Sequence, residues 1–332
     1  MLLDCQGETP LKKVIIASYP ALFFKSTTGV LALLLILLNT ACTPANNTYH
    51  QKIAKLTVLD NVDKDSLGER IADLPAEELT EKGFVFLGQG NLELARLHFS
   101  AALQKSPDAI APLAGMGQVF FAQGNTSRSR EIFNTVLEKD PTNTTAMLGL
   151  ARISRNQGDF TTAESLLERL YSLLPEDTTI ISELAITYDS IGGERLIKAE
   201  PLHQKVLALQ PDKPSGYNNL GFNYLLQGRY GEAIPLFSKA LGIDSTNNIR
   251  IKNNLATAFL LNNEELRALQ LFETTLGKPA AYNNIGYLYM TQGNWDKSEK
   301  AFRKALELSP VFYMRAQQNL ERLNSLRSQS GD

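Results

Sequence analysis

Residues 282–310 read YNNIGYLYMTQGNWDKSEKAFRKALELSP, and residues 217–241 read YNNLGFNYLLQGRYGEAIPLFSKAL. Both stretches place a tyrosine, an apolar residue followed by glycine, a second tyrosine, another glycine and a phenylalanine at the same spacing. Apolar residues recur three and four positions apart on either side of the second glycine, which is the spacing of amphipathic helices. Each stretch therefore predicts two helices joined by a turn, at Gly293 and at Gly228.

The same pattern extends over most of the chain. Pro107, Pro141 and Pro175 lie 34 residues apart, and a glycine comes 17 residues before each of them. Seven copies are predicted, at residues 76–109, 110–143, 144–177, 178–213, 214–247, 249–278 and 279–312. Period, register and residue types together resemble the tetratricopeptide repeat family, in which W-x₂-L-G-x₂-Y, A-x₃-F and a proline recur every 34 residues.

The resemblance implies an all-α fold, a right-handed α-solenoid of about seven stacked helix pairs. One pair cannot bury its apolar face alone, so an array also needs a cover at its end. Residues 313–332 predict that cover, because Tyr313, Ala316, Leu320 and Leu323 form an apolar stripe. The sequence thus predicts a repeat array at 76–312, followed by a C-terminal capping helix and tail at 313–332.

Two copies depart from the period. The fourth has two extra residues around 191–194, which predict a longer turn between its helices. The sixth reaches the next copy early, and Gly277-Lys278-Pro279 predicts an abrupt turn there.

Composition argues against several functional classes. The chain has 332 residues, 43% of them hydrophobic, and its formal net charge of −2 provides no field for nucleic-acid binding. It has few histidines and cysteines, and no zinc motif, phosphate loop or nucleophile elbow. His98 and His203 fall at packing positions of second helices. The sequence therefore predicts a non-enzymatic protein with no cofactor or metal.

An apolar leader precedes the repeats. Residues 30–38, VLALLLILL, follow Lys25 and are typical of a signal peptide, since a membrane span needs about 20 apolar residues. Another apolar stretch at 14–24 leaves an uncleaved anchor as the alternative.

The residues after the leader's apolar run, Leu38-Asn39-Thr40-Ala41-Cys42, resemble a bacterial lipobox, in which the signal is cut before a lipid-bearing cysteine. Asn39 departs from the leucine that lipoboxes usually have at its position. The resemblance implies a leader at 1–41, lipidation of Cys42 and a lipid-anchored linker at 42–75. Thr43 is similar to the residue that follows the cysteine in lipoproteins sent to the outer membrane. The alternative is that Cys42 is a buried thiol.

Asparagines recur on the first helices of the last three copies. In tetratricopeptide arrays the first helix lines the concave surface, and an Asn at the register of Asn219, Asn254 and Asn284 is similar to those that hold a bound peptide's backbone. A carboxamide both donates and accepts, which matches a peptide group. The neighbouring Asn218 and Asn283 belong to the same predicted site. Phe222 and Tyr287, three residues after Asn219 and Asn284, are expected to add apolar contacts. The alternative is that these asparagines serve folding alone.

A lipoprotein-like leader joined to this array resembles the envelope lipoproteins that assist assembly of the Flp (tight-adherence) pilus. The ending from Ser309 to Leu323 adds to that resemblance. It implies a scaffold of the outer membrane, facing the periplasm, whose partners belong to an envelope assembly machine. Two alternatives remain: a periplasmic adaptor that docks peptidoglycan enzymes, and a generic membrane-anchored regulatory array.

Overall fold

The chain folds as successive helix pairs. A computed structural model describes residues 73–244, 246, 248–309 and 314–330, which form fifteen helices. The first helices are α1 (Ala76–Gly88), α3 (Ile110–Ala122), α5 (Thr144–Asn156), α7 (Thr178–Ile191), α9 (Pro214–Leu226), α11 (Ile249–Leu261) and α13 (Lys278–Thr291). The second helices are α2 (Leu92–Lys105), α4 (Thr126–Lys139), α6 (Phe160–Leu173), α8 (Arg195–Leu209), α10 (Tyr230–Ile243), α12 (Glu265–Leu276) and α14 (Trp295–Leu308), and α15 (Met314–Ser330) follows them. The predicted all-α repeat fold is confirmed.

The predicted leader, Cys42 and all but the last residues of the predicted linker lie outside the described residues. None of the helices in the described ranges combines the length and the apolar character needed to cross a bilayer.

The described chain divides into two compact units. The N-terminal unit contains residues 73–191 and 197–209, and the C-terminal unit contains residues 192–196 and 210–330. In six of the copies the second helix packs against the first helix of its own copy and against the next helix along the chain. This stacking buries the apolar faces that one pair alone would expose.

A glycine and a capping residue form the turn inside most pairs. Gly124 has a φ of 79°, in the left-handed region that a β-carbon disfavours. Asn125 then caps α4, because its Oδ1 accepts a hydrogen bond from the backbone N–H of Arg128 at 3.2 Å. In the sixth copy Asn263 takes the glycine's place with a φ of 63°. The predicted role of the glycine in ending the first helix is confirmed.

A phenylalanine from a second helix fills the centre of most copies. These rings are at most 1% exposed, and their residues are Phe99, Phe133, Phe237, Phe272 and Phe302. Glycine makes room for them on the first helices. A β-carbon built at Gly117 would lie 2.5 Å from the ring of Phe133. The small residues of the pattern therefore set how closely two helices approach.

The two irregular copies have different outcomes. In the fourth, α7 ends at Ile191 and α8 begins at Arg195, so the turn is as short as that between α5 and α6. The predicted longer turn is wrong, because the extra residues lengthen the helices: α7 has 14 residues and α8 has 15, against 13 in α5 and 14 in α6. The abrupt turn of the sixth copy is confirmed, since Gly277 alone, at a φ of 83°, separates α12 from α13.

The last helix covers the last repeat, as predicted. Leu320 and Leu323 of α15 are buried against Tyr287 and Met290 of α13 and Phe302 of α14. These contacts remove the apolar face of the seventh copy from water, which is the role of a terminal cap.

Candidate peptide-binding face

Each first helix of the last three copies carries two adjacent asparagines, and the structure separates them by burial. Asn254 and Asn283 are 3% exposed and Asn218 is 9% exposed, whereas Asn219 and Asn284 are half-buried. Sequence reasoning expected Asn219, Asn254 and Asn284 to be exposed together. That expectation is wrong for Asn254, which is buried and bonded to Asn218 of the preceding first helix.

Two hydrogen bonds between asparagines, one buried and one partly buried, join stacked helices of the C-terminal unit. Asn254 on α11 donates from Nδ2 to Oδ1 of Asn218 on α9 at 2.9 Å, and Asn319 on α15 donates in the same way to Asn283 on α13 at 2.9 Å. Both pairs are 36 residues apart in the chain. We call these two pairs the asparagine seam. They show that part of the predicted amide set holds first helices to one another.

The seam is interrupted between α11 and α13. The residue 36 positions after Asn254 is Met290, which has no side-chain amide to donate. Oδ1 of Asn254 and Oδ1 of the adjacent Asn253 are buried and accept no hydrogen bond from the described side chains or backbone. A buried acceptor without a donor destabilises the folded state.

The two aromatic residues of the predicted site lie in different surroundings. Phe222 is half-buried and packs against Leu196 and Leu226. Tyr287 is 6% exposed and lies under α15. Burial raises the pKa of the Tyr287 hydroxyl, and the nearby Arg322 guanidinium opposes that rise. Tyr287 is therefore part of the capping contact, and its predicted contribution to an open groove is wrong.

At the register of Asn219 and Asn284 the second and third copies have glycine, and packing explains why. A β-carbon at Gly115 would lie 2.4 Å from the ring of Phe99, and one at Gly149 would lie 2.1 Å from the ring of Phe133. The phenylalanine of the preceding copy thus occupies the space that a side chain would need. An amide ladder through these two copies is excluded by sterics.

Sequence reasoning missed two arginines beside the asparagine seam. Arg250 and Arg315 are exposed and stand four residues before the seam residues Asn254 and Asn319. Residues four apart lie on the same side of a helix. The available signal was the spacing Arg-x-x-x-Asn, which occurs at 250–254 and again at 315–319.

No catalytic arrangement emerges around the buried histidine of the fourth copy. His203 stands where most copies have phenylalanine, and its Nε2 lies 2.7 Å from Oδ2 of Asp189, with both residues at most 4% exposed. Such a pair is shielded from any substrate. Among the described residues, no group of three or more histidine, cysteine, aspartate or glutamate side chains lies close enough to hold a metal ion.

Tetratricopeptide repeat models match three parts of the chain, at residues 86–153 and 120–179, 214–247 and 279–312. The chain belongs to the tetratricopeptide repeat proteins. These repeats indicate a protein–protein interaction scaffold, a class that is typically non-enzymatic. Comparison with curated proteins gave no match.

Solved structures agree with this fold. A tetratricopeptide repeat protein from Parabacteroides merdae is 18% identical with a TM-score of 0.54, and the match covers 75% of this chain and 98% of that one. MamA from Desulfovibrio magneticus RS-1 is 22% identical with a TM-score of 0.43, over 51% of this chain and 94% of that one. At 18% identity the likeness to the Parabacteroides merdae protein shows the fold alone, and the likeness to MamA supports no conclusion.

Proposed function

We propose that this chain is a non-enzymatic envelope lipoprotein that assists pilus or secretin assembly by binding extended segments of its partners. The C-terminal unit supplies the binding face, through Asn219 on α9 and Asn284 on α13. The observation that carries the proposal is that both amides stay half-buried at the surface while their neighbours Asn218 and Asn283 are buried in the asparagine seam.

The seam supports binding by positioning the helices. Because α11 holds Asn218 and α15 holds Asn283 through an amide, the side chains beside them project from fixed backbone. Asn218 in turn donates from Nδ2 to Oδ1 of Asn219 at 3.3 Å. A surface carboxamide can then both donate to and accept from one peptide group. One such hydrogen bond contributes about 0.5–1.5 kcal/mol net, so binding needs several contacts along the segment.

The envelope part of the proposal rests on the leader and on the resemblance stated for the sequence. A lipid on Cys42 would place the array beside a membrane, with the linker at 42–75 as a tether. A pilus or secretion machine offers extended protein segments there during assembly.

The test is photo-crosslinking from the proposed face in the full-length chain. A photoreactive amino acid replaces Asn219 or Asn284, and, as a matched control, the exposed Arg303 on the second helix α14. We expect secretin or pilus-assembly proteins to crosslink from positions 219 and 284 and not from position 303, as identified by mass spectrometry.

Two results would contradict the proposal. Equal crosslinking from all three positions would show that the first helices of the C-terminal unit are not the binding face. Crosslinking of peptidoglycan enzymes in place of pilus components would replace the assembly role with that of a periplasmic adaptor.

A further inference from the structure

Carboxylates are few on the first helices of the C-terminal unit and on α15. Helices α9, α11 and α13 contain no aspartate or glutamate, whereas α11 carries Arg250 and Lys252. The one acidic residue of α15, Glu321, accepts a hydrogen bond from Gln317 at 3.1 Å. We call the surface formed by Asn219, Arg250, Asn284, Arg315 and Arg322 the first-helix face.

Four arginines of this unit form ion pairs with carboxylates, and three others do not. Arg229 and Arg303, at the start of α10 and on α14, form ion pairs with Glu232 at 2.7 Å and with Glu299 at 2.8 Å. Arg267 and Arg327 also pair with carboxylates. Arg250, Arg315 and Arg322 have no carboxylate within ion-pair distance among the described residues, and all three are exposed.

The unpaired arginines share a common side of their helices. Arg250 precedes Asn254 by four residues, and Arg315 precedes Asn319 by four, so each lies one turn from a seam residue. Arg322 comes three residues after Asn319 and acts electrostatically on the hydroxyl of Tyr287. The asparagine seam thus joins α11 to α9 and α15 to α13 in the same way. Arg250 on α11 and Arg315 on α15 therefore lie at equivalent positions.

The N-terminal unit shows the opposite arrangement. There, Arg152 and Arg155 of α5 both bind Glu183 of α7, with 2.7 Å between Arg152 Nε and Glu183 Oε1. Glutamate at the register of Asn219 therefore neutralises Arg152 and Arg155 from within the unit. The C-terminal unit has asparagine at this register, so Arg250, Arg315 and Arg322 remain available to pair with carboxylates of another molecule.

We infer that the first-helix face of the C-terminal unit selects extended segments that are rich in aspartate and glutamate. This inference deepens the proposed function and rests on it, because the same face is used. Carboxylates of the segment pair with Arg250, Arg315 and Arg322, while Asn219 and Asn284 contact its backbone. Exposed ion pairs are individually weak, so their main effect is selection among segments and faster association.

A protein segment fits this face better than another polyanion does. The arginines alternate with neutral amides that match peptide groups, and the face includes no exposed aromatic residue of the kind on which nucleic-acid bases stack. The whole chain has a formal net charge of −2, which opposes binding to an extended anionic surface.

The experiment measures binding of the full chain to three fluorescent peptides that alternate serine with glutamate, glutamine or lysine. The variant Arg250→Gln/Arg322→Gln is compared with Arg267→Gln/Arg303→Gln, which removes the same charge from paired arginines of second helices. We expect the glutamate peptide to bind most tightly, and the first variant to weaken it about tenfold, which corresponds to about 1.4 kcal/mol. The control variant should change the dissociation constant less than about twofold, and salt should weaken binding of the glutamate peptide.

The outcomes separate the inference from the proposed function. If the glutamine peptide binds as tightly as the glutamate peptide and only Asn219→Ala/Asn284→Ala weakens it, the charge selection is overturned while the binding face stands. If none of the peptides binds, the inference is overturned, and crosslinking from position 219 still tests the proposed function. Binding of phosphatidylglycerol vesicles through Arg250 and Arg322, without peptide binding, would also overturn it.

Discussion

Asn254 donates a hydrogen bond from Nδ2 to Oδ1 of Asn218 across 2.9 Å, and the pair is buried between α11 and α9. Asn319 and Asn283 repeat this relationship between α15 and α13. An asparagine at this register therefore has two uses in one protein. Where it reaches the preceding helix it holds the array together, whereas Asn219 and Asn284 stay half-buried at the surface.

Replacing Asn254 with alanine should destabilise the C-terminal unit by about 1 kcal/mol, because Oδ1 of Asn218 would lose its buried donor while the unpaired Oδ1 of Asn254 is also removed. The half-buried Asn284, changed to alanine, is the matched control and should shift stability by less than about 0.5 kcal/mol. Urea unfolding followed by circular dichroism measures both, and hydrogen exchange locates the loss in α9 and α11. Equal stability of the two variants would show that the seam contributes nothing.

Replacing Gly149 with alanine should destabilise the N-terminal unit by about 1–3 kcal/mol, because the new methyl group meets the ring of Phe133. Gly242, in α10, has no atom within 4 Å of a built β-carbon. Its replacement with alanine should be neutral or stabilising by up to about 1 kcal/mol, since alanine favours a helix. Thermal unfolding of the two variants compares these effects, and a Gly149→Ala variant as stable as the parent would contradict the packing explanation.

A chain that ends at Pro310 should lose protection first in α13 and α14. Removal of α15 exposes Tyr287, Met290 and Phe302, and it also takes away the amide that Asn283 accepts from. Hydrogen exchange resolved by mass spectrometry measures this order, with α1 and α2 as the internal reference. Loss of protection that is uniform, or that begins in α1, would count against the capping role.

Replacing Cys42 with alanine should release the protein from the membrane or leave an unprocessed precursor. Several acyl chains anchor a protein firmly where one holds it only marginally. Cys5→Ala is the matched control, because cleavage before Cys42 would discard residue 5. Fractionation and the mass of the mature chain measure the result. Normal maturation and normal membrane association of Cys42→Ala would show that lipidation is wrong.

Much of the fold followed from local pattern. The glycine turn, the phenylalanine of most second helices and the stripe of Leu320 and Leu323 all lie at spacings typical of helices. The turn of the fourth copy was predicted wrongly, because two extra residues can lengthen a turn or the helices beside it with the same sequence pattern. Hydrogen bonding continued α7 to Ile191 and began α8 at Arg195, which kept the turn short.

The candidate site was less accessible to sequence reasoning. The recurrence of Asn-Asn indicated the correct helices. Asn254 of α11 does contact Asn218 of α9, whereas Asn283 of α13 contacts Asn319 of α15. Which member of each pair is buried depends on the offset between successive copies. Asn254 reaches Asn218 across 36 residues, which the 34-residue period of the sequence does not predict.

The sequence by itself determined the repeat, its helix pairs and its terminal cap, because these depend on spacings within one copy and its immediate neighbour. Only the tertiary structure decided that Asn254 and Tyr287 are buried, that Asn219 and Asn284 stay at the surface, and that Arg250, Arg315 and Arg322 have no carboxylate within ion-pair distance among the described residues. The physical reason is that side-chain burial and ion pairing depend on how one copy packs against the next. A shift of a few residues in that packing leaves the period of the sequence almost unchanged, yet it moves a side chain between water and the interior.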